Sequence, residues 1–280
     1  MTAIRDLSAI DVHGHYGRYE RVGTSILKQQ FMSGDPATVV ARARQANTAY
    51  TVVSPMLAMM PRGEADAVAG NEEAQRVVHE TDGLLQWVVV NPLQPETFDQ
   101  ARRMLGLPQC VGIKIHPEEH CYPIVDHGRA ILEFAAEQGA VVLSHSGELN
   151  SLPKDFTRFA DDFPEVKLIL AHLGHSGATG TSCDLQVRAI LASKHGNVLT
   201  DTSSSLSITP GLIEWAVREV GADRILYGSD TPVYFAPSQR ARIDRADLTD
   251  TEKRMILCDN ARRLLPFFRQ SQAQREDDSC

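Results

Sequence analysis

Apolar residues in this chain fall into two alternating patterns. Short runs rich in Val, Ile and Leu occupy Ala9 to His15, Tyr50 to Pro55, Leu84 to Pro92, Val111 to Pro117, Ala140 to Gly147, Lys167 to His175, Asn197 to Ser203 and Arg224 to Pro232. Stretches such as Gln86-Trp-Val-Val-Val and Lys167-Leu-Ile-Leu show no polar alternation, as expected of parallel strands covered on both faces. Between the runs lie segments with helical spacing and end signals. Asp35-Pro36 places an N-cap and a first-turn proline before Ala37 to Gln45, and Asp126 precedes a segment from Gly128 to Gly139. Thr209-Pro210 opens Gly211 to Val220 ahead of Gly221. Eight strand-helix repeats in roughly 250 residues predict an α/β fold, a (β/α)8 TIM barrel in a single domain over 1–265, with 266–280 as a polar tail. An open doubly wound sheet is the alternative.

Composition narrows the function classes. The 280 residues are 42% hydrophobic and 23% charged, an ordinary globular balance. Lys plus Arg total 28 against 36 Asp plus Glu, a formal net charge of -8, which argues against nucleic acid or an anionic membrane as partner. The five cysteines, Cys110, Cys121, Cys183, Cys258 and Cys280, form no Cys-x-x-Cys pair, so a reducing, cytoplasmic setting is expected. No run approaches the roughly 18 apolar residues of a membrane span, and the N-terminus does not read as a leader.

Candidate chemistry gathers where the apolar runs end. In Ile10-Asp-Val-His13-Gly-His15 the two histidines are two residues apart, so on an extended chain both project toward one point and can hold a metal. Barrel active sites lie at the carboxyl ends of the strands. There the fourth run carries Lys114 and His116, the fifth His145, the sixth His172 and His175, the seventh Asp201, and the eighth Asp230. Buried polar groups are costly unless paired or bound, so packing alone does not account for so many. Imidazoles with a carboxylate suit one divalent ion, zinc first, with manganese or iron as substitutes. No P-loop, dinucleotide glycine motif or Gly-x-Ser-x-Gly elbow is present.

The His-x-His pair, Leu143-Ser-His-Ser-Gly-Glu148, Leu170-Ala-His-Leu-Gly-His175, Tyr227-Gly-Ser-Asp-Thr-Pro232 and Cys258-Asp-Asn-Ala-Arg-Arg-Leu-Leu265 together resemble the amidohydrolase superfamily. The branch they resemble is the amidohydrolase-related one, with aminocarboxymuconate-semialdehyde decarboxylase and other metal-dependent hydrolases. The likeness runs from Ile10 to about Leu265. It implies metal ligands His13, His15, His145 and Asp230, with His172 as the acid/base group and Asp230 as a further proton acceptor. A carboxylated fourth-strand lysine bridges two metals elsewhere in the superfamily. This branch generally has one metal and no carbamate, so Lys114 is expected to face a substrate anion instead.

His116, Tyr122 and Arg18 complete the expected substrate-binding set. Loops 16–34, 56–70, 117–125 and 231–245 are expected to set specificity for a small-molecule substrate. Met56, Met59 and Met60 are expected at an exposed rim, against the pocket or a second subunit of a homo-oligomer. The preferred reaction is hydrolysis of a C–N or C–O bond in an amide, lactone or cyclic ester by metal-activated water. The alternatives are non-oxidative decarboxylation, with Lys114 or Arg18 holding the carboxylate, and a metal-binding barrel without catalysis.

Overall fold

The eight apolar runs form eight parallel strands, paired in chain order, in the computed structural model of the protein, which describes residues 4–177, 180 and 182–269. They are β1 (Ala9–Tyr16), β2 (Thr48–Pro55), β3 (Leu84–Val89), β4 (Cys110–Ile115), β5 (Val142–Ser144), β6 (Leu168–Leu170), β7 (Val198–Asp201) and β8 (Ile225–Leu226). The sheet returns on itself. Val12 N donates to Tyr227 O at 2.9 Å, His15 N to Thr231 O at 2.7 Å, and Gly14 bridges to Thr231. This is a (β/α)8 barrel in one domain, and the open-sheet alternative falls.

The strands sort their side chains into two layers. Ile10, Val12, Val52, Leu85, Trp87, Leu143, Ile169, Leu199 and Leu226 fill the barrel interior. Val88, Ile113, Ile115, Val142, Leu168, Leu170 and Val198 pack outward against the helices. Trp87 sits inside, its indole N–H donating to Val12 O at 2.7 Å. A Cβ at Gly112 would lie 2.4 Å from Val141 O and 2.6 Å from the Trp87 ring, so glycine there makes room for the indole.

The helices follow their end signals closely. α1 (Ile26–Met32) lies within the long first connection, and α2 (Pro36–Gln45) is capped by the Asp35 side chain accepting from Thr38 N. α3 (Ala67–Glu80), α4 (Glu96–Met104) and α5 (Ile124–Gln138) follow. α5 starts two residues before Asp126, which therefore occupies the first turn rather than the cap, and it ends on Gly139 in the left-handed region. Next come α6 (Pro153–Asp162), α7 (Leu185–Ala192), α8 (Leu212–Val220) and α9 (Ala236–Asp244). α10 (Asp250–Arg254) and α11 (Asn260–Leu264) are joined by a π-helical segment over Met255–Asp259. Asn260 Nδ2 donates to Ala222 O and Ile225 O, both at 2.8 Å, and so ties α11 to β8.

Residues 266–269 are helical, and Phe268 packs into the interior cluster with Cys258, Ala261 and Leu265, because two adjacent phenylalanines interrupt the polar tail. Residues 270–280, including Cys280, lie outside the described residues. Cys110, Cys121, Cys183 and Cys258 are free thiols. Among the described residues, no helix is long and apolar enough to cross a membrane.

Candidate functional site

The first strand is built to aim its histidines. Between Asp11 and Gly14 it carries one more residue than its β2 partners Thr51 and Val53, a bulge of the kind that re-aims side chains beside active sites. Asp11 holds the bulge by accepting from His13 N and from Ser229 N and Oγ. Burial raises its carboxyl to about 7 against these bonds. His13 and His15 emerge together, with ring centroids 5.2 Å apart.

Their outer nitrogens fix their tautomers. His15 Nδ1 lies 3.0 Å from Ser54 O, a carbonyl that can only accept, and His13 Nδ1 lies 2.9 Å from Asp201 Oδ2. Both Nδ1 atoms therefore carry the proton, and both Nε2 lone pairs face inward. Asp230 Oδ1 meets them, 3.0 Å from His15 Nε2 and 3.7 Å from His13 Nε2. Lys114 Nζ, 3.1 Å from His13 Nε2, gives this group one donor, while His15 Nε2 and Asp230 Oδ1 face each other at 3.0 Å, an approach that a cation between them accommodates. The donor set fits a divalent metal, with carboxylate and carbonyl partners behind the imidazoles as metal-binding histidines usually have.

A second row of imidazoles stands beside this group. His172 Nδ1 lies 2.7 Å from Ser203 Oγ, which donates to Asp201 Oδ1, and His172 Nε2 lies 3.1 Å from His145 Nδ1. His145 stacks on His116 with centroids 4.2 Å apart. His116 Nδ1 accepts from Glu119 N at 3.2 Å, which puts its proton on Nε2. Burial, the leading cause in each, holds His13, His116, His145 and His172 below the ordinary histidine range and hence neutral. His172 and Asp230 have φ of 73° and 58°. Such left-handed backbone costs about 1–3 kcal/mol per residue. It is held here by Asp201 Oδ1 accepting from His172 N and by Asp230 N donating to His13 O.

These residues line a cavity of about 460 Å³ over the carboxyl ends of the strands. One wall is apolar, from Tyr19, Met32, Met56, Met59, Met60 and Val233, and the other carries His116, Glu119, His145, Glu148 and His175. Met56 and Met59 are thus buried pocket residues and not an exposed rim.

The expected site residues separate. His13, His15 and Asp230 converge, whereas His145 does not join them. Its ring is clamped between His116 and His172, and its Nε2 faces Glu148 instead. Lys114 is fully buried below the cavity, with Nζ 3.1 Å from His13 Nε2, and burial lowers it to about 8. It supports a histidine here rather than presenting a charge at the cavity wall. Tyr122 is buried in the outer core around α5, because its aromatic body packs better than it solvates, and it does not reach the cavity. Arg18 turns to solvent and pairs with Glu20 at 2.7 Å, while Tyr19 and Arg21 face the cavity.

Ser203, Arg21 and Tyr234 were not singled out from the sequence, and Glu148 entered only as the last residue of the fifth-run motif.

Three comparisons bear on this site. The sequence model of the amidohydrolase family matches residues 10–267. No curated protein matches the chain in sequence. Among solved structures, 2,6-dihydroxybenzoate decarboxylase from Rhizobium is similar with a TM-score of 0.70 at 12% identity, covering 94% of this chain and 99% of its own. A dihydroxybenzoic acid decarboxylase from Polaromonas sp. JS666, with bound manganese and the inhibitor 2-nitroresorcinol, gives 0.69 at 14%, covering 95% and 98%. A 5-carboxyvanillate decarboxylase from Sphingomonas paucimobilis gives 0.65 at 16%, covering 92% and 98%. At these identities the likeness is one of fold. The preference for hydrolysis drawn from the sequence is corrected nonetheless, because the reactions named for these structures are decarboxylations.

Proposed function

We propose, from the premise that this chain belongs to the amidohydrolase family, that it is a metal-dependent decarboxylase removing CO₂ non-oxidatively from a small aromatic carboxylic acid. The observation that carries this reading is the convergence of His13 Nε2, His15 Nε2 and Asp230 Oδ1 beside an apolar wall of methionines. His13, His15 and Asp230 would hold the ion, and manganese or zinc suits two imidazoles and one carboxylate. Bound there, the metal would supply a positive charge to fix the carboxylate and a neighbouring oxygen.

The chain's own groups supply the rest. The methionine wall, with Tyr19 and Val233, offers a flat apolar face to a ring. His116 presents Nε2–H as a donor to a substrate oxygen. Loss of CO₂ requires a proton at the carbon it leaves. His172 lines the cavity and is the group proposed to shuttle that proton: its Nε2 lone pair takes the proton of a substrate hydroxyl and returns it to the ring carbon, leaving the hydroxyl oxygen as phenolate, while Asp201, acting through Ser203, steadies its Nδ1–H. The electrons of the broken C–C bond take up the proton, and CO₂ departs.

The test is a panel of hydroxylated benzoates with manganese- or zinc-loaded protein, following CO₂ release. Turnover is expected, falling by about 10²–10⁴-fold in His172→Asn. A fully loaded protein that releases no CO₂ from any member overturns the proposal.

A further inference from the structure

We propose that residues 18–33 form a lid over the cavity, hinged at Gly17 and Gly34 and latched by Arg21 against Glu119. The segment leaves β1 and returns toward α2 through one antiparallel bridge, Gly17 N donating to Gly34 O at 2.7 Å and Gly34 N to Gly17 O at 3.1 Å. Both ends of the segment are glycine. Gly17 has a φ of 108°, and a Cβ at Gly34 would lie 3.0 Å from Pro232 Cβ. A loop with joined ends and bonds of its own can move as one piece.

Those internal bonds are present. Ser25 caps α1 by accepting from Lys28 N, Gln29 Nε2 donates to Thr24 O at 2.8 Å, and Ser33 Oγ donates to Gln29 O and accepts from Tyr19 N. The attachment to the barrel is thin by comparison. α1 buries none of its residues, and Ile26, Leu27 and Phe31 are exposed. The apolar hold is Tyr19 and Met32, which pack with Met56, Met59, Met60 and Val233. An element with so little buried apolar contact opens at low cost.

The latch crosses the mouth of the cavity. Arg21 Nη2 stands 4.0 Å from Glu119 Oε1, and Arg62 fixes that carboxylate, donating from Nη2 to Oε1 at 2.9 Å and from Nε to Oε2 at 3.2 Å. Glu119 is buried and its N–H donates to His116 Nδ1, so the lid closes onto the loop that also seats His116. With the lid down, Met59 is only 2% exposed although it lines the cavity. Reaching it requires the lid to lift. The inference does not depend on the decarboxylase reading.

Met59→Cys supplies the reporter. The protein is treated with N-ethylmaleimide, and modification at each cysteine is followed by peptide mass spectrometry. Exposed Cys183 gives the unhindered rate, and buried Cys110 and Cys258 report global unfolding. The thiol at position 59 is expected to react more slowly than Cys183. Arg21→Gln and the isosteric Glu119→Gln should each quicken it about two- to fivefold, the range of a partly exposed ion pair, with Cys110 and Cys258 unchanged. Sodium chloride added to the reporter protein alone screens the same pair and should also quicken it. A thiol at 59 that reacts as fast as Cys183 in the reporter protein, or that neither Glu119→Gln nor salt quickens, overturns the lid. Quickening by Arg21→Gln alone means a wider mouth and overturns it too, as does modification at 59 in step with Cys110 and Cys258.

Discussion

Asp201→Asn separates metal binding from folding, because the two oxygens of Asp201 do different work. Oδ1 accepts from His172 N and Ser203 N, both at 3.0 Å, and from Ser203 Oγ. Oδ2 accepts from His13 Nδ1 at 2.9 Å. Asparagine can keep its oxygen on the Oδ1 side and retain the backbone bonds. Its NH₂ then faces His13 Nδ1, where it can only donate, and this pushes the imidazole proton to Nε2. The lone pair that points at Asp230 is lost. Partners behind metal-binding histidines are typically worth 10–100-fold in affinity, or about 1.4–2.8 kcal/mol, and a tautomer reversal places this variant at the upper end. Calorimetric titration of stripped protein with manganese or zinc measures it. An affinity within about threefold of wild type would refute the tautomer argument.

Three further outcomes are expected. Gly112→Ala drives a methyl into Val141 O and the Trp87 ring and should destabilise the protein by about 1–3 kcal/mol in denaturant unfolding; no loss would mean the interior is looser than described. Glu214, bonded to Arg242 and to Asp247 N, is lowered to about 2, chiefly by the Arg242 hydrogen bond. A depressed folded-state value stabilises above the ordinary 4.5, and the gain disappears as pH falls toward 2. Glu214→Gln should therefore cost about 1 kcal/mol near pH 6 and progressively less in acid, which unfolding curves at both pH values would check. Chelation from a hundredfold excess of metal over its Kd should remove about 2.7 kcal/mol of stability, seen as a Tm lower by several degrees.

Much of the frame was legible because burial on both faces writes itself as Val, Ile and Leu. The strand ends were not. The sixth run was read through His175 and the eighth through Pro232, but β6 stops at Leu170 and β8 at Leu226. The polar residues beyond leave the sheet, His172 and Asp230 into left-handed backbone, which no local propensity announces. The His-x-His spacing correctly put both rings on one side, yet the bulge that aims them depends on pairing with β2. Arg18, Tyr19 and Arg21 sit in one connection without regular structure. Nothing in their order tells which turn inward: Tyr19 and Arg21 line the cavity, and Arg18 faces solvent.

The lower part of the barrel is plugged. Trp87 and the strand interiors meet Ala261, Leu265 and Phe268 from the chain's last described turns, so the chamber above is a cul-de-sac. With that end filled among the described residues, a substrate entering past Lys28 and Met32 of α1 shares its opening with a departing product, and a bulky product obstructs the next molecule until it has gone. Crowding at that shared doorway would register as competitive inhibition by the spent compound.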